Sequence, residues 1–174
     1  IGAIVVGVGP GGFTGLRIGL ATALGLGQAL AVPVTGAPSL EALALGIHSC
    51  GPLRDVVVPV LDARRHELFA AAYRPGADGA LDELIAPCAI APADLARRLP
   101  AGALVGGPGV AAAGDAFAGH DIDVLAPGSP GHRMRAALLA ARVAAGGGRP
   151  ARPLYARLPD AEINLAARAG SPGG

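Results

Sequence analysis

The pattern that most suggests a binding site lies in residues 4–19, which read IVVGVGPGGFTGLRIG. This segment has the pattern of a strand, a glycine-dense turn and the start of a helix. Five of its glycines surround the turn, namely Gly7, Gly9, Gly11, Gly12 and Gly15. Because glycine has no Cβ, the backbone there can adopt positive φ angles or let another group come close. The segment therefore predicts either a loop that binds phosphate through backbone N–H groups, or a loop and helix shaped to pack against another protein.

Two nucleotide-binding motifs can be tested against this segment. Gly7, Gly9 and Gly12 satisfy GxGxxG, but a dinucleotide site also needs an acidic residue or a basic substitute about twenty residues later to hold the ribose. Residues 31–36, which read AVPVTG, contain neither. A P-loop fits less well, because Leu16 and the arginine after it stand where that motif requires lysine and a hydroxyl. These comparisons shift the prediction from ligand binding towards a close protein contact.

No other set of side chains has the spacing of a catalytic or metal site. The serines lack a GxSxG turn, and the histidines show neither HExxH nor paired ligand spacing. Asp62, Arg64, Arg65, His66 and Glu67 form a polar cluster, but they resemble an ordinary polar turn between strands. We therefore expect no catalytic residue and no metal site.

The composition is that of a globular protein. The chain has 174 residues, of which 52% are hydrophobic and 16% charged, which suits one domain or two small lobes. Cys50 and Cys88 lack CxxC spacing, which favours a reduced, cytoplasmic setting. The net charge is +1 and tryptophan is absent, so binding of nucleic acid by this chain alone is not indicated. The apolar residues 16–34 are interrupted by Arg17 and Pro33, which argues against a membrane span.

Alternating and helical apolar patterns predict a mixed α/β order of elements. A first helix is expected from an N-cap at Thr14 to about Leu30, and a second from Ser39 to about Ile47. Further helices are expected at residues 92–99, 109–117 and 131–145. Strands are expected at residues 1–7, 55–61, 67–73, 84–90, 103–107 and 122–125, with residues 62–66 linking a hairpin.

The first helix carries a row of small residues beside a row of large ones. Gly15, Gly19, Ala23 and Gly27 recur every four residues, and Leu16, Leu20 and Leu24 form the neighbouring row. Each interior glycine costs about 1 kcal/mol relative to alanine, so the row predicts that a backbone or another helix comes close there. Packing inside the fold and contact with another protein remain equal alternatives.

Two blocks of sequence resemble a known family. Residues 9–44, GPGGFTGLRIGLATALGLGQALAVPVTGAPSLEALA, are similar to the signature of the TsaB (YeaZ) family, and residues 56–74, VVVPVLDARRHELFAAAYR, to its second segment. The closing PLYARLPDA of residues 153–161 also resembles it. The chain departs from the family in having Gly12 where serine is common. It also begins at Ile1 inside an apolar pattern, so we expect residues before it.

The resemblance implies an actin-like α/β fold of the sugar kinase and Hsp70 ATPase superfamily, with two lobes of mixed sheet flanked by helices and an incomplete first lobe. Residues 1–52 would be the remainder of the N-terminal lobe, residues 53–158 the second lobe and residues 159–174 a flexible tail. Proteins of this family support the making of threonylcarbamoyladenosine in tRNA. The related subunit TsaD does the catalytic, metal and nucleotide work, and TsaE is a third, ATPase component.

The resemblance also implies where partners bind. The helix after GPGxFTG would contact TsaD, or a second copy of the chain when TsaD is absent, with tRNA reached only through the complex. The matching interface positions are Gly15, Leu16, Gly19, Leu20, Ala23, Leu24 and Gly27. The matching motif loop consists of Gly9, Pro10, Gly11, Gly12, Phe13, Thr14 and Arg17.

Two alternatives to a partner subunit stay open at this point. A nucleotide-binding phosphotransferase or ATPase of the same superfamily would place a phosphate between the glycine turns of residues 9–12 and 106–109, with Asp62 as its candidate magnesium ligand. A self-associating structural protein would need no TsaD. For the favoured role we expect no cofactor of the chain's own, with ATP as the candidate if one binds.

Overall fold

The computed structural model describes residues 1–156, which form two sheets with helices between and around them. The strands are β1 (Ile4–Gly9), β2 (Val34–Pro38), β3 (Val57–Arg64), β4 (Glu67–Pro75), β5 (Leu81–Ile90), β6 (Ala103–Gly106), β7 (Ile122–Val124) and β8 (Arg149–Pro150). The α-helices are α1 (Phe13–Leu30), α2 (Ser39–Cys50), α3 (Pro92–Arg98), α4 (Val110–Ala113) and α5 (Ala136–Arg142). Short 3-10 turns cover Ala77–Gly79 and Pro130–His132, and a π-helical turn covers Val143–Gly147.

The first sheet has the strand order β1-β2-β8 and positions the candidate site. β1 and β2 run parallel, with Val5 opposite Thr35, and α1 makes the crossover that parallel strands require. β8 pairs antiparallel with β2. Since β8 falls in the range predicted for the second lobe, the end of the described chain returns to the first sheet. The segment predicted as a flexible tail, residues 159–174, lies outside the described residues.

The second sheet has the strand order β5-β4-β3-β6-β7. β3 pairs antiparallel with β4, which confirms the predicted hairpin, and parallel with β6. The hairpin link is shorter than predicted, because β3 continues to Arg64 and only Arg65 and His66 separate the strands. The Asp62 carboxylate accepts the Arg64 backbone N–H at 2.7 Å, so this polar cluster closes a turn.

Apolar cores cover both faces of the second sheet. Val58 and Val60 of β3 join Leu95 of α3 on one face, and Val57 joins Leu43 of α2 on the other. Successive side chains of a strand point to opposite faces, and a strand buried on both faces reads as a continuous apolar run. This explains the unbroken VVVPV of residues 56–60.

The ends of several elements differ from their predictions. α1 begins at Phe13 with Gly12 in the N-cap position and no side-chain cap, so Thr14 is not the cap. The helix predicted to reach residue 117 stops at Ala113, because Gly114 leaves helical geometry with φ 54° and ψ −134°. α2 runs on to Cys50, one turn beyond its predicted end.

The helix predicted over residues 131–145 is divided into separate turns. Arg133 and Arg135 are extended, so α5 begins only at Ala136. The His132 ring lies between backbone groups, because its Nδ1 accepts the Gly107 N–H at 3.2 Å and its Nε2 donates to the Leu125 carbonyl oxygen at 3.1 Å. These inward bonds fix the turn before α5.

Candidate protein-binding surface

The motif loop between β1 and α1 is closed by the last described residues of the chain. Gly9 has φ of 108°, and a Cβ built there would lie 2.6 Å from the Leu154 carbonyl oxygen. The Leu154 N–H donates to the Val8 carbonyl oxygen at 2.7 Å. The buried Pro10 follows through a cis peptide bond. The group that comes close to Gly9 is therefore the chain's own backbone.

Phe13 and Arg17 at the start of α1 pack against Tyr155. We call Leu154 and Tyr155, at the end of the described residues, the closing segment. The rings of Phe13 and Tyr155 stack with centroids 5.5 Å apart and planes at 28°. The Arg17 guanidinium lies 3.9 Å from the Phe13 centroid, and its Nε donates to the Tyr155 hydroxyl at 3.2 Å. A cation over an aromatic face is attracted by the ring quadrupole. Arg17, which the motif placed in the loop, thus helps to fix the entry to α1.

The remaining glycines of the loop leave open space. No described atom lies within 4 Å of a Cβ built at Gly12 or Gly15, and only the Leu16 side chain approaches one at Gly11. Thr14 is exposed. Gly9 is thus explained by packing inside the chain, whereas Gly12 and Gly15 leave room for an outside group.

The predicted interface positions on α1, which are the row of small residues and the leucine row beside it, are divided between the interior and the surface. Leu20, Ala23 and Gly27 are buried, and a Cβ at Gly27 would lie 2.3 Å from Val34 Cγ2. These three residues face the first sheet because α1 packs on β1 and β2, so their assignment to a partner interface is corrected to packing inside the chain. Leu16 is half-buried.

Gly15, Gly19 and Leu24 are exposed. Contact with a partner at these three positions stays a prediction.

Gly15 and Gly19 belong to a wider exposed stripe of α1, whose other members the sequence pattern did not identify. We call it the α1 outer face, and its members are Gly15, Ile18, Gly19, Thr22, Leu26, Ala29 and Leu30. Ile18 is 62% exposed, Leu26 51% and Leu30 48%. The members follow the three- and four-residue spacing of one helix side. Since Arg17 is the only charged residue of α1 and lies on another side, this face is uncharged, and the Thr22 hydroxyl is its one polar side-chain group.

The α1 outer face has the chemistry of a contact surface. Contiguous exposed apolar surface marks interaction sites more often than scattered apolar side chains do. A Cβ at Gly19 would meet no described atom within 4 Å, so its lack of a side chain leaves a groove along the helix. Two helices can approach closely across such small residues, with ridges of one packing into grooves of the other.

The second glycine turn, after β6, is filled by the protein itself. A Cβ at Gly107 would lie 2.3 Å from the Val60 carbonyl oxygen. The Gly107 N–H donates to His132 Nδ1 at 3.2 Å and the Gly109 N–H to the Val60 carbonyl oxygen at 3.0 Å. Both N–H groups that a phosphate would need are therefore already engaged, which argues against the nucleotide alternative at this turn.

A buried ionic cluster ties the two sheets together beneath α1. Glu41 of α2 is 5% exposed, and its carboxylate accepts from Arg142 Nε at 2.5 Å and from Arg149 Nη2 at 3.1 Å. Burial, and after it the nearby Glu41 carboxylate, raises the pKa of the Tyr73 hydroxyl far above its usual range. That hydroxyl has no hydrogen-bond partner among the described residues. The cluster is structural, since it joins α2, α5 and β8.

Residues 1–156 contain neither a cluster of metal ligands nor a helix that could span a membrane. No three His, Cys, Asp or Glu side chains of this part of the chain gather as a metal-binding group. None of its helices combines the length and apolarity that crossing a membrane requires.

The chain is similar to proteins named for tRNA modification. The family model described as TsaD, tRNA N6-adenosine threonylcarbamoyltransferase, matches residues 1–125. The tRNA threonylcarbamoyladenosine biosynthesis protein TsaB of Bacillus subtilis is 40% identical over 72 residues, which is 41% of this chain and 30% of the relative. An uncharacterized protein of Mycobacterium tuberculosis is 40% identical over 160 residues, which is 92% of this chain and 66% of the relative. The chain thus spans two thirds or less of these relatives' length.

A solved structure supports the same family. YeaZ from Pseudomonas aeruginosa superposes with a TM-score of 0.67 at 25% identity, covering 89% of this chain and 74% of its own. The actin-like α/β fold expected from the sequence is therefore confirmed.

Proposed function

The chain belongs to the TsaB (YeaZ) family, and on that premise we propose that it is a non-catalytic partner subunit of the machinery that installs threonylcarbamoyl on adenosine in tRNA. Its role is to bind and support TsaD, the subunit that carries the catalytic site. The single observation that carries the proposal is the α1 outer face, which is exposed, uncharged and grooved by glycine. Such a face suits a helix of a partner protein.

The partner binds along α1 from its start. The stack of Phe13, Arg17 and Tyr155 fixes the first turn of α1, so Gly15 and Gly19 are presented on a rigid element. A preorganised surface loses less conformational entropy on association than a mobile one. The glycines then let a partner helix approach, while Ile18 and Leu26 supply apolar area on either side.

A second copy of the chain takes the same face when TsaD is absent. A two-fold dimer uses one self-complementary patch on both copies, and a helix with small residues in its middle can meet itself in this way. Because homodimer and TsaD complex share the face, the two assemblies exclude each other. TsaE is the third component of the complex, and tRNA is reached only through the complex.

The chain has no catalytic role and no cofactor of its own in this proposal. The support comes from the glycine turns, where Leu154 fills the space beside Gly9 and the Gly107 and Gly109 N–H groups are engaged. The alternative is a phosphotransferase or ATPase of the same superfamily. In that case the chain alone would hydrolyse ATP in the presence of magnesium, or would transfer a phosphate group from ATP.

Reconstitution of the tRNA modification tests this proposal. Purified TsaD, TsaE, tRNA, ATP with magnesium and an activated threonylcarbamoyl donor are combined with and without the full chain, and threonylcarbamoyladenosine is quantified in the digested tRNA. We expect modification only when the chain and TsaD are both present, and no ATP hydrolysis by the chain alone. Modification at an equal rate without the chain, or threonylcarbamoyl transfer by the chain without TsaD, would contradict the proposal.

A further inference from the structure

A cavity with three arginines lies at the end of the second sheet, away from α1. Its volume is about 700 Å³, and its lining includes Arg54 before β3, Arg74 near the end of β4 and Arg98 in the last turn of α3. Small-molecule sites in proteins commonly have volumes of this size. No function described above uses this cavity.

The fold brings these arginines together from distant parts of the sequence. Val57 of β3 lies opposite Tyr73 of β4, so the side chains of Val56 and Arg74 share the sheet face on which α3 packs. The apolar core on that face includes Val56 and Leu95. α3 ends at Arg98, where this core gives way to solvent, so the guanidinium groups stand around the open end of the core.

Two of the three arginines are free to bind an anion. Arg74 and Arg98 form no ion pair with another residue of the described chain. Arg54 is held in place, since its Nε donates to Asp123 at 2.6 Å and its Nη1 to the Leu53 carbonyl oxygen at 3.2 Å. The planar guanidinium donates two parallel hydrogen bonds to a phosphate or carboxylate. Arg74 and Arg98, which both line the cavity, are therefore the candidates to bind one anionic group.

The surroundings favour a compact ligand over a nucleic-acid chain. The acidic Asp55 also lines the cavity, and Asp123 neutralises part of the Arg54 charge. An extended polyanion would meet these carboxylates. One phosphate group near Arg74 and Arg98 is closer to Asp82, which is opposite Arg74 on β5 but does not line the cavity. The lining has no aromatic side chain on which a base could stack. Leu84 and Ile85 instead give the body of a small ligand an apolar wall.

We propose that this cavity binds a small phosphorylated molecule of about mononucleotide size, with Arg74 and Arg98 holding its phosphate. This site is separate from the α1 outer face and does not depend on the proposed function. No chemical step is assigned to it.

Calorimetric titration of the full chain with ADP, inorganic phosphate and adenosine tests the proposal. We expect saturable binding of ADP, weaker binding of phosphate, and adenosine binding at least about tenfold weaker than ADP, because adenosine lacks the charged group. Raising the salt concentration should weaken the ADP affinity, since the site is open to solvent.

Arginine variants locate the site. Arg74→Ala and Arg98→Ala should each lower the ADP affinity by about tenfold. Arg97→Ala is the matched control, because Arg97 is the neighbour of Arg98 on α3 but pairs with Asp94 and is not among the cavity-lining residues. All three side chains are exposed, so the melting temperature should stay the same. TsaD binding should also be unchanged, which separates this proposal from the proposed function.

Several results would overturn the proposal. Absence of saturable ADP binding, equal binding of ADP and adenosine, or the same loss in Arg97→Ala as in Arg98→Ala would each do so. Binding of unmodified tRNA that depends on Arg74 and Arg98, without ADP binding, would assign the arginines to an RNA backbone and would also contradict it.

Discussion

At the scale of single residues, Gly9 is constrained both by its backbone angle and by its neighbour. Its φ of 108° lies in the region that other residues rarely adopt, and a Cβ would stand 2.6 Å from the Leu154 carbonyl oxygen. Gly12, three residues on, has φ of −60° and no described atom within 4 Å of a built Cβ. The same motif therefore contains one glycine that the fold requires and one that it does not.

Gly9→Ala should destabilise the protein, and Gly12→Ala should not. We expect the free energy of unfolding to fall by about 2 kcal/mol or more for Gly9→Ala, because the backbone must shift away from Leu154. For Gly12→Ala the change should stay within about 0.5 kcal/mol. Urea unfolding measures both. Equal small effects would show that the closing segment does not pack on Gly9.

Tyr73 makes the stability of the protein depend on pH in the alkaline range. Burial raises the pKa of its hydroxyl above the ordinary 10.0, so the native state keeps the proton at a pH where the unfolded chain releases it. The Tyr73 contribution to stability is therefore complete below pH 10 and is lost progressively as the pH rises above it.

Tyr73→Phe should weaken this alkaline loss of stability. The substitution removes a buried hydroxyl that has no partner among the described residues, so stability near neutral pH should be unchanged or slightly higher. Thermal melting from about pH 7 to about pH 11 spans the ordinary tyrosine pKa and measures the effect. A wild-type and variant pair with parallel pH profiles would contradict the account.

At the scale of elements, α1 shows what the sequence can and cannot reveal. Its existence and its end at Leu30 were predictable from helical spacing, but which side faces inward was not. A polar stripe normally identifies the solvent side of a helix, and α1 has a single charged residue with leucine, alanine and glycine on every side. The contact of Gly27 with Val34 of β2 decides the orientation, and that contact is not local in sequence.

The last part of the described chain was also hard to predict, because its structure depends on contacts between residues that are distant in sequence. The hairpin of β3 and β4 follows from two apolar runs around a polar turn, and the structure confirms it. The division of the segment before α5 depends on His132, whose ring bonds the backbone of Gly107 and Leu125. The stack of Tyr155 on Phe13 likewise joins two residues far apart in the chain. Neither contact leaves a local pattern.

Two leucines of α1 test its orientation directly. Leu20→Ala should lower the free energy of unfolding by about 2 to 5 kcal/mol, because Leu20 is buried against the first sheet. Leu26→Ala makes the same change on the outer face, where the side chain is 51% exposed, and should cost less than about 0.5 kcal/mol. Chemical unfolding of both variants gives the comparison. A larger loss of stability for Leu26→Ala than for Leu20→Ala would mean that Leu26, and not Leu20, faces the first sheet.

At the scale of the whole molecule, the two sheets are joined by buried charge as well as apolar packing. α2 packs on the second sheet through Leu43 and Ile47 and holds Arg142 and Arg149 through Glu41. This arrangement sets α1 on the outer side of the first sheet, away from the arginine cavity at the end of the second. An actin-like fold can thus present one surface for a protein partner and a separate cavity for a small ligand.

If the α1 outer face binds TsaD, a charge placed on this face must weaken the affinity for TsaD. The same charge at the adjacent position outside the face must not. Thr22→Glu places a carboxylate on the face, whereas Ala21→Glu introduces the same side chain at an exposed residue of the adjoining side. We predict that Thr22→Glu weakens TsaD binding in calorimetry by at least about a hundredfold, because an unpaired charge would be buried at the interface, and that Ala21→Glu binds like the wild type. Equal affinities for the two folded variants would contradict the claim.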